Sequence, residues 1–152
     1  MTVAPGTKTV GKTRDAADPL DEAGASQYRA LVGTALYVGQ DRPEAQYATK
    51  EVARHMSCPT RAAWCALKRL CKYYSEVPVL VWEFNYQEMP EEIRAVTDAN
   101  WAGALEALRS TSCGWIYLGG HLIETYSSTQ QIVALSSAES EYISITKRRH
   151  TP

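Results

Sequence analysis

At 152 residues, 45% hydrophobic and 22% charged, the chain has the make-up of an ordinary globular protein, which excludes low-complexity and collagen-like classes. Its net charge of −1 excludes a partner chosen by bulk charge alone, although basic residues from Lys50 to Lys72 precede acidic ones from Glu83 to Asp98. No run of about 18 apolar residues occurs, so no membrane span is predicted, and the N-terminus has no apolar signal core.

Met1 to Ala25 is rich in Thr, Gly, Pro, Asp and Ala and reads as a flexible arm. Within it, Gly6 to Thr13 fits the phosphate-loop pattern G-x-x-x-x-G-K-T. That loop works only between a buried strand and a helix N-terminus. Met1 to Pro5 is too short and proline-broken for the strand, and Pro19 stops a helix early, so the pattern is set aside.

Three helices follow. Ser26 is the predicted cap of the first, whose apolar residues Tyr28, Leu31, Val32, Ala35 and Leu36 recur at helical spacing until Gly39. Asp41-Arg42-Pro43-Glu44 reads as the next cap, ahead of a face of Ala45, Ala48, Val52 and Met56. After Pro59-Thr60 a third helix carries Trp64, Leu67, Cys71 and Tyr74 on one stripe. Arg61, Lys68, Arg69 and Lys72 lie largely off that stripe. They are either a solvated face or, beside Trp64, Tyr73 and Tyr74, a nucleic-acid contact.

Pro78 ends the helical part. Val79 to Phe84 is predicted as a strand from its β-branched and aromatic content, and Asn85 to Glu92 as a polar connection. Ile93, Ala95 and Val96 form a short apolar run that ends in Asp98, with a turn predicted at Gly103 and a loop reaching Arg109. A carboxylate at a strand end is a metal ligand or catalytic group, or it opens the turn through an Asx hydrogen bond. Trp115 to Leu118, Gly119-Gly120 and His121 to Tyr126 make a hairpin, with His121 a surface residue beside the turn. Ile132 to Leu135 is predicted to return to the core. Ser136-Ser137-Ala138-Glu139 is a capping box for a last helix, with Tyr142 and Ile145 facing the core and Glu141 on another face from Glu139.

The order of helices, strands and one helix predicts an α+β fold with a mixed sheet and an uncovered edge, as if cut off at its C-terminal end. The four cysteines show neither a CxxC pair nor metal spacing with a histidine, and read as reduced thiols of an intracellular protein.

Several phrases then carry a resemblance. They are Tyr28 to Gly33, Arg42-Pro43, Met56 to Thr60 with Trp64 and Leu67 to Arg69, Thr97 to Gly103, Arg109 to Ser112, Leu118 to Gly120, Ser127-Ser128, Gln130 and Val133 to Tyr142. In this order and spacing, from about Tyr28 to Thr146, the chain resembles the C-terminal part of the Pol polyprotein of copia-type LTR retrotransposons. After the arm that composition marks over 1–25, the resemblance implies a helical, thumb-like reverse transcriptase connection over 26–78. It also implies a partial ribonuclease H-like domain over 79–147, a truncated mixed β-sheet with one flanking helix, and an unrelated tail over 148–152. In that family an acidic cluster holds two magnesium ions roughly 3.5–4 Å apart, which clamp the attacking water and leaving oxygen while the RNA strand of an RNA·DNA hybrid is cut. By position Asp98 matches the first acid and Glu141 the second, because the ligand directly precedes the aromatic or leucine of that helix, here Tyr142.

Three departures follow. Cys113 precedes Gly114 where the family usually has Gly then Tyr, Lys147 to Pro152 does not continue the family's helix, and the two later acids are missing. With two of four acids, magnesium is expected to bind weakly and the chain alone to be an inefficient nuclease. The partners implied are the hybrid, in the intact parent, and the rest of the polyprotein, with no membrane. The implied compartment is the cytoplasm or virus-like particle, or the nucleus. Against this reading stand a non-catalytic nucleic-acid-binding remnant and a pseudogene product without a stable fold.

Overall fold

The computed structural model describes residues 18–104 and 108–146. The phosphate-loop pattern at Gly6 to Thr13 and the tail after Thr146 lie outside the described residues. The chain divides into two units, Met1–Val81 and Trp82–Pro152.

The first unit is helical: α1 Glu22–Val38, a 3-10 turn Gly39–Asp41, α2 Pro43–Ala53 and α3 Arg61–Glu76. The cap of helix α1 is Asp21, five residues before the predicted one, and its carboxylate accepts from the Gly24 N–H at 3.0 Å. Asp at the N-cap satisfies an orphan amide as well as Ser26 would, and Glu22 adds a favourable charge in the first turn. The arm is therefore helical over its last four residues. Helix α2 begins on Pro43, which needs no amide partner, and Arg42 occupies the cap position without a side-chain cap bond. The Glu44 carboxylate instead accepts from Arg42 Nε at 2.6 Å. Thr60 caps α3 by accepting from the Ala63 N–H at 3.3 Å. A short bridge pairs Pro19 with Thr60 and ties the chain ahead of α1 to the start of α3.

The core of this unit is built from Tyr28, Val32 and Ala35 of α1, Ala45, Ala48 and Val52 of α2, and Ala63, Leu67 and Leu70 of α3. The predicted stripes are borne out in outline, with Leu31 and Leu36 left exposed. Tyr28 is fully buried, and its hydroxyl donates to the Val52 carbonyl at 2.6 Å, so the one polar atom on that face is satisfied.

The second unit is a three-stranded antiparallel sheet, β1 Ile93–Ala104, β2 Arg109–Leu118 and β3 His121–Thr129, in the order β1-β2-β3. Helix α4, Ser137–Thr146, packs on β1 and β2. Together the elements make an α+β protein. The described sheet is wholly antiparallel where a mixed one was expected; a parallel neighbour needs a long crossover, and none joins the described strands. The Gly119-Gly120 hairpin forms as predicted, with Gly119 taking a φ of +61°.

Three expectations fail. Val79 to Phe84 is not a strand: no β-ladder of the described residues includes it, and β propensity without ladder pairing does not make one. The Asp98 strand does not end at Asp98 but pairs with β2 beyond it, and an irregularity between Asn100 and Ala104 absorbs the small residues expected to turn. The apolar residues after β3 also stay outside. Ile132, Val133 and Leu135 are exposed and Ala134 alone is buried, while α4 turns Ser140 and Ser144 inward and Tyr142 and Ile145 outward. Small side chains let the helix lie close on the sheet, and hydrogen bonds replace apolar contacts there. The Ser144 hydroxyl donates to the Asp98 carbonyl at 3.1 Å, and the Gln130 amide donates to the Ser140 carbonyl at 2.8 Å.

Candidate metal centre

Asp98 stands within β1, exposed, directly opposite Cys113 of β2. Its backbone pairs through the ladder, so it does not open a turn. Glu141 rises from α4, half-buried, and its carboxylate accepts from the Ala99 N–H at 3.2 Å. The fold thus brings two acids that are distant in sequence to consecutive positions of one strand. The Glu139 expectation also holds. The Glu139 N–H donates to Ser136 Oγ at 3.1 Å, and its carboxylate accepts from the Leu135 N–H at 2.6 Å, so Glu139 caps the helix and Glu141 is left for the strand.

Cys113 is the residue that the sequence marked only as a departure. Its thiol lies 3.8 Å from Asp98 Oδ2 and 3.6 Å from the Asp98 carbonyl. Burial pushes its pKa up, and the negative charges of Asp98 and then Glu141 push the same way. The thiol therefore stays protonated beside the carboxylates and offers them a weak donor.

The donor set suits a hard cation only in part. Two carboxylates match magnesium, which keeps several waters, whereas a protonated thiol is a poor ligand for it. Among the described residues no group of three or more His, Cys, Asp and Glu could hold a metal ion.

The predicted basic residues belong to the helical unit, on α3. Arg61, Lys68 and Lys72 fall seven and four residues apart and so share one exposed face, with Arg69 turned away and half-buried. Lys68 Nζ sits 5.8 Å from the centre of the Trp64 ring, and Lys72 Nζ lies 3.6 Å from Glu76. No described helix is long and apolar enough to cross a membrane.

The fold and the site define an α+β protein with a carboxylate pair where a strand meets a helix. Comparison with known proteins gives this class a family. The chain is 34% identical over 123 residues to the retrovirus-related Pol polyprotein from transposon RE2 of Arabidopsis thaliana, a match covering 79% of the chain and 8% of the polyprotein. It is 30% identical over 122 residues to the corresponding polyprotein from transposon TNT 1-94 of Nicotiana tabacum, covering 79% and 9%. A shorter relative, the secreted RxLR effector protein 161 of Plasmopara viticola, is 32% identical over 121 residues, covering 79% of the chain and 84% of that protein. The chain belongs to one family with this last protein, and over 79% of its own length it is similar to retrovirus-related transposon Pol polyproteins, of which it spans about 8% of the length of the first. No family profile and no solved structure matches it.

Proposed function

We propose that the chain is the part of a copia-type Pol polyprotein that runs from the end of the reverse transcriptase into the ribonuclease H domain. Asp98 and Glu141 are then the first two acids of its magnesium site. One observation carries this reading: Glu141 reaches the amide next to Asp98, so the strand-end acid and the acid matched by resemblance are neighbours in space. In the intact domain, bound magnesium would supply charge neutralisation at the phosphate being cut. Asp98 would offer its exposed carboxylate from the strand, while Glu141, anchored on the Ala99 amide, would present its second oxygen. The Cys113 proton would restrain the Asp98 carboxylate between binding events. The natural partners are an RNA·DNA hybrid and the remainder of the polyprotein.

Titration of the chain with Mn2+ tests the site, because a bound paramagnetic ion broadens nearby amide resonances. Broadening centred on residues 97–99, 112–114 and 140–142, weak in affinity and lost in Asp98→Asn, is the expected result. Uniform or absent broadening at millimolar Mn2+ overturns the assignment. An RNA·DNA hybrid supplied with the ion should be cut slowly by the full chain and not by Asp98→Asn.

A second reading, a nucleic-acid-binding remnant, draws on the shared face of Arg61, Lys68 and Lys72. Hybrid binding that weakens steeply with salt, persists in Asp98→Asn and falls in Lys68→Glu would favour it.

A further inference from the structure

Gln87, in the connection ahead of β1, is bonded on both sides of its amide to the β2–β3 turn. Its Nε2 donates to the Leu118 carbonyl at 2.9 Å and lies 3.0 Å from His121 Nδ1, while its Oε1 accepts from the Gly120 N–H at 2.9 Å. These partners fix the orientation of the amide. Turned over, it would set Oε1 against the Leu118 carbonyl and Nε2 against the Gly120 N–H, two like-with-like contacts. Nε2 is therefore a donor to His121, and Nδ1 must accept. The imidazole is neutral in this arrangement, with its proton on the other nitrogen.

The contact is close as well as specific. A Cβ on Gly119, which already has a positive φ of +61°, would meet Gln87 Oε1 at 2.5 Å and Pro90 Cγ at 2.7 Å. Phe84 meets the His121 ring edge-on, with centroids 5.3 Å apart, and stacks on Trp82 at 6.4 Å. Residues 82–90 thus form a strap across the turn, with Gln87 and Phe84 among its contacts to it. The imidazole meets Gln87 and Phe84 of the strap and pairs across the turn with Leu118 at the end of β2; the strap also carries the carboxylates Glu83 and Glu88, and β3 carries Glu124.

We propose that Gln87 and His121 form a proton-released latch, which holds the 82–90 strap on the β2–β3 turn while His121 is neutral and frees it when the imidazole is protonated. Protonation puts an N–H on Nδ1, facing the Gln87 N–H at 3.0 Å, and neither orientation of the amide then satisfies all three of its partners. Release frees Trp82 and Phe84 from the hairpin and leaves the Gly120 N–H without its acceptor. The latch is independent of the carboxylate pair, and its test does not require that site to bind an ion.

The test is a nuclear magnetic resonance titration of the full chain from alkaline to mildly acidic pH. It follows the His121 ring, the Gln87 side-chain amide and the Gly120 backbone amide together. All three should move with one midpoint. Gly120 exchange, corrected for its intrinsic pH dependence, should rise about tenfold across the transition, as expected for losing one or two net hydrogen bonds. Titration of the ring with Gln87 and Gly120 unmoved overturns the latch. In His121→Phe, which keeps a ring against Phe84 but has no nitrogen to protonate, the Leu118 and Gly120 bonds of Gln87 remain, so the strap should stay docked through the same titration. Acid release of that variant, equal to the wild type, also overturns it.

Discussion

The two units spend their apolar residues in opposite ways. The helical unit buries Tyr28, Val32, Val52, Leu67 and Leu70 among alanines that let its helices approach closely. The sheet unit buries Ser110, Ser112, Gln130, Ser140 and Ser144, and leaves Val96, Trp101, Leu135, Tyr142 and Ile145 exposed. One is held mainly by apolar packing and the other, at its helix–sheet junction, by hydrogen bonds. The difference matters for chemistry. A serine-lined junction lets α4 come near enough to β1 for Glu141 to reach a strand amide, which bulky side chains at 140 and 144 would prevent. Exposed apolar surface of this kind marks places where proteins meet partners, in keeping with relatives that are parts of longer polyproteins.

The contrast can be broken most forcefully in the helical unit. Leu70→Ala, at a fully buried position, should cost about 2–5 kcal/mol, whereas Tyr142→Ser in the sheet unit should change stability by roughly 0.5 kcal/mol or less. Chemical denaturation of both variants checks this, and equal losses would erase the distinction. A pH effect follows from Tyr28, whose pKa burial raises from its ordinary 10.0 to about 12. The folded state favours the protonated phenol. Its contribution is therefore complete below pH 10 and is lost as pH rises through 12, a change on the order of 2–3 kcal/mol. Tyr28→Phe should abolish that part of the alkaline loss, as read from denaturation midpoints across the range.

Smaller effects probe the polar junction. Gln130 is almost fully buried, donates to Ser112 Oγ at 2.9 Å and to the Ser140 carbonyl at 2.8 Å, and has no partner for its own Oε1 among the described residues. Gln130→Ala should cost about 1–3 kcal/mol and, by hydrogen exchange, loosen α4 before the β2–β3 hairpin. Glu141→Ala should cost only about 1 kcal/mol, from the unpaired Ala99 amide, while Glu141→Gln, which retains an acceptor, should cost less.

What was legible in the sequence follows the same divide. Where apolar residues go inside at helical spacing, as from Tyr28 to Leu70, pattern and burial agree. The glycine pair of the hairpin and the Ser136–Glu139 cap are local devices and also read correctly. The pattern misleads where burial is polar. On α4 it selects Tyr142 and Ile145, because nothing in spacing reveals that Ser140 will turn inward with its hydroxyl satisfied by Ser137 of the same helix, and Ser144 with its hydroxyl satisfied by the Asp98 carbonyl of β1. Val79 to Phe84 has strand composition but joins no β-ladder of the described residues. Asp98 stood out as a carboxylate at a predicted strand end, Glu141 came only from the resemblance, and their proximity depends on long-range packing that no local signal encodes. Cys113 carried no signal beyond its departure from the pattern, and its place opposite Asp98 follows from strand register.

The most direct measurement pairs Glu141→Gln with Glu141→Ala and reads, for each, the melting of the chain and the Mn2+ broadening around Asp98. If Glu141 is a ligand that also anchors the helix to the strand, Glu141→Gln keeps nearly wild-type stability yet loses the ion, and Glu141→Ala loses both. Ion binding at Asp98 that survives in Glu141→Gln would contradict the account, leaving Glu141 as a structural contact alone.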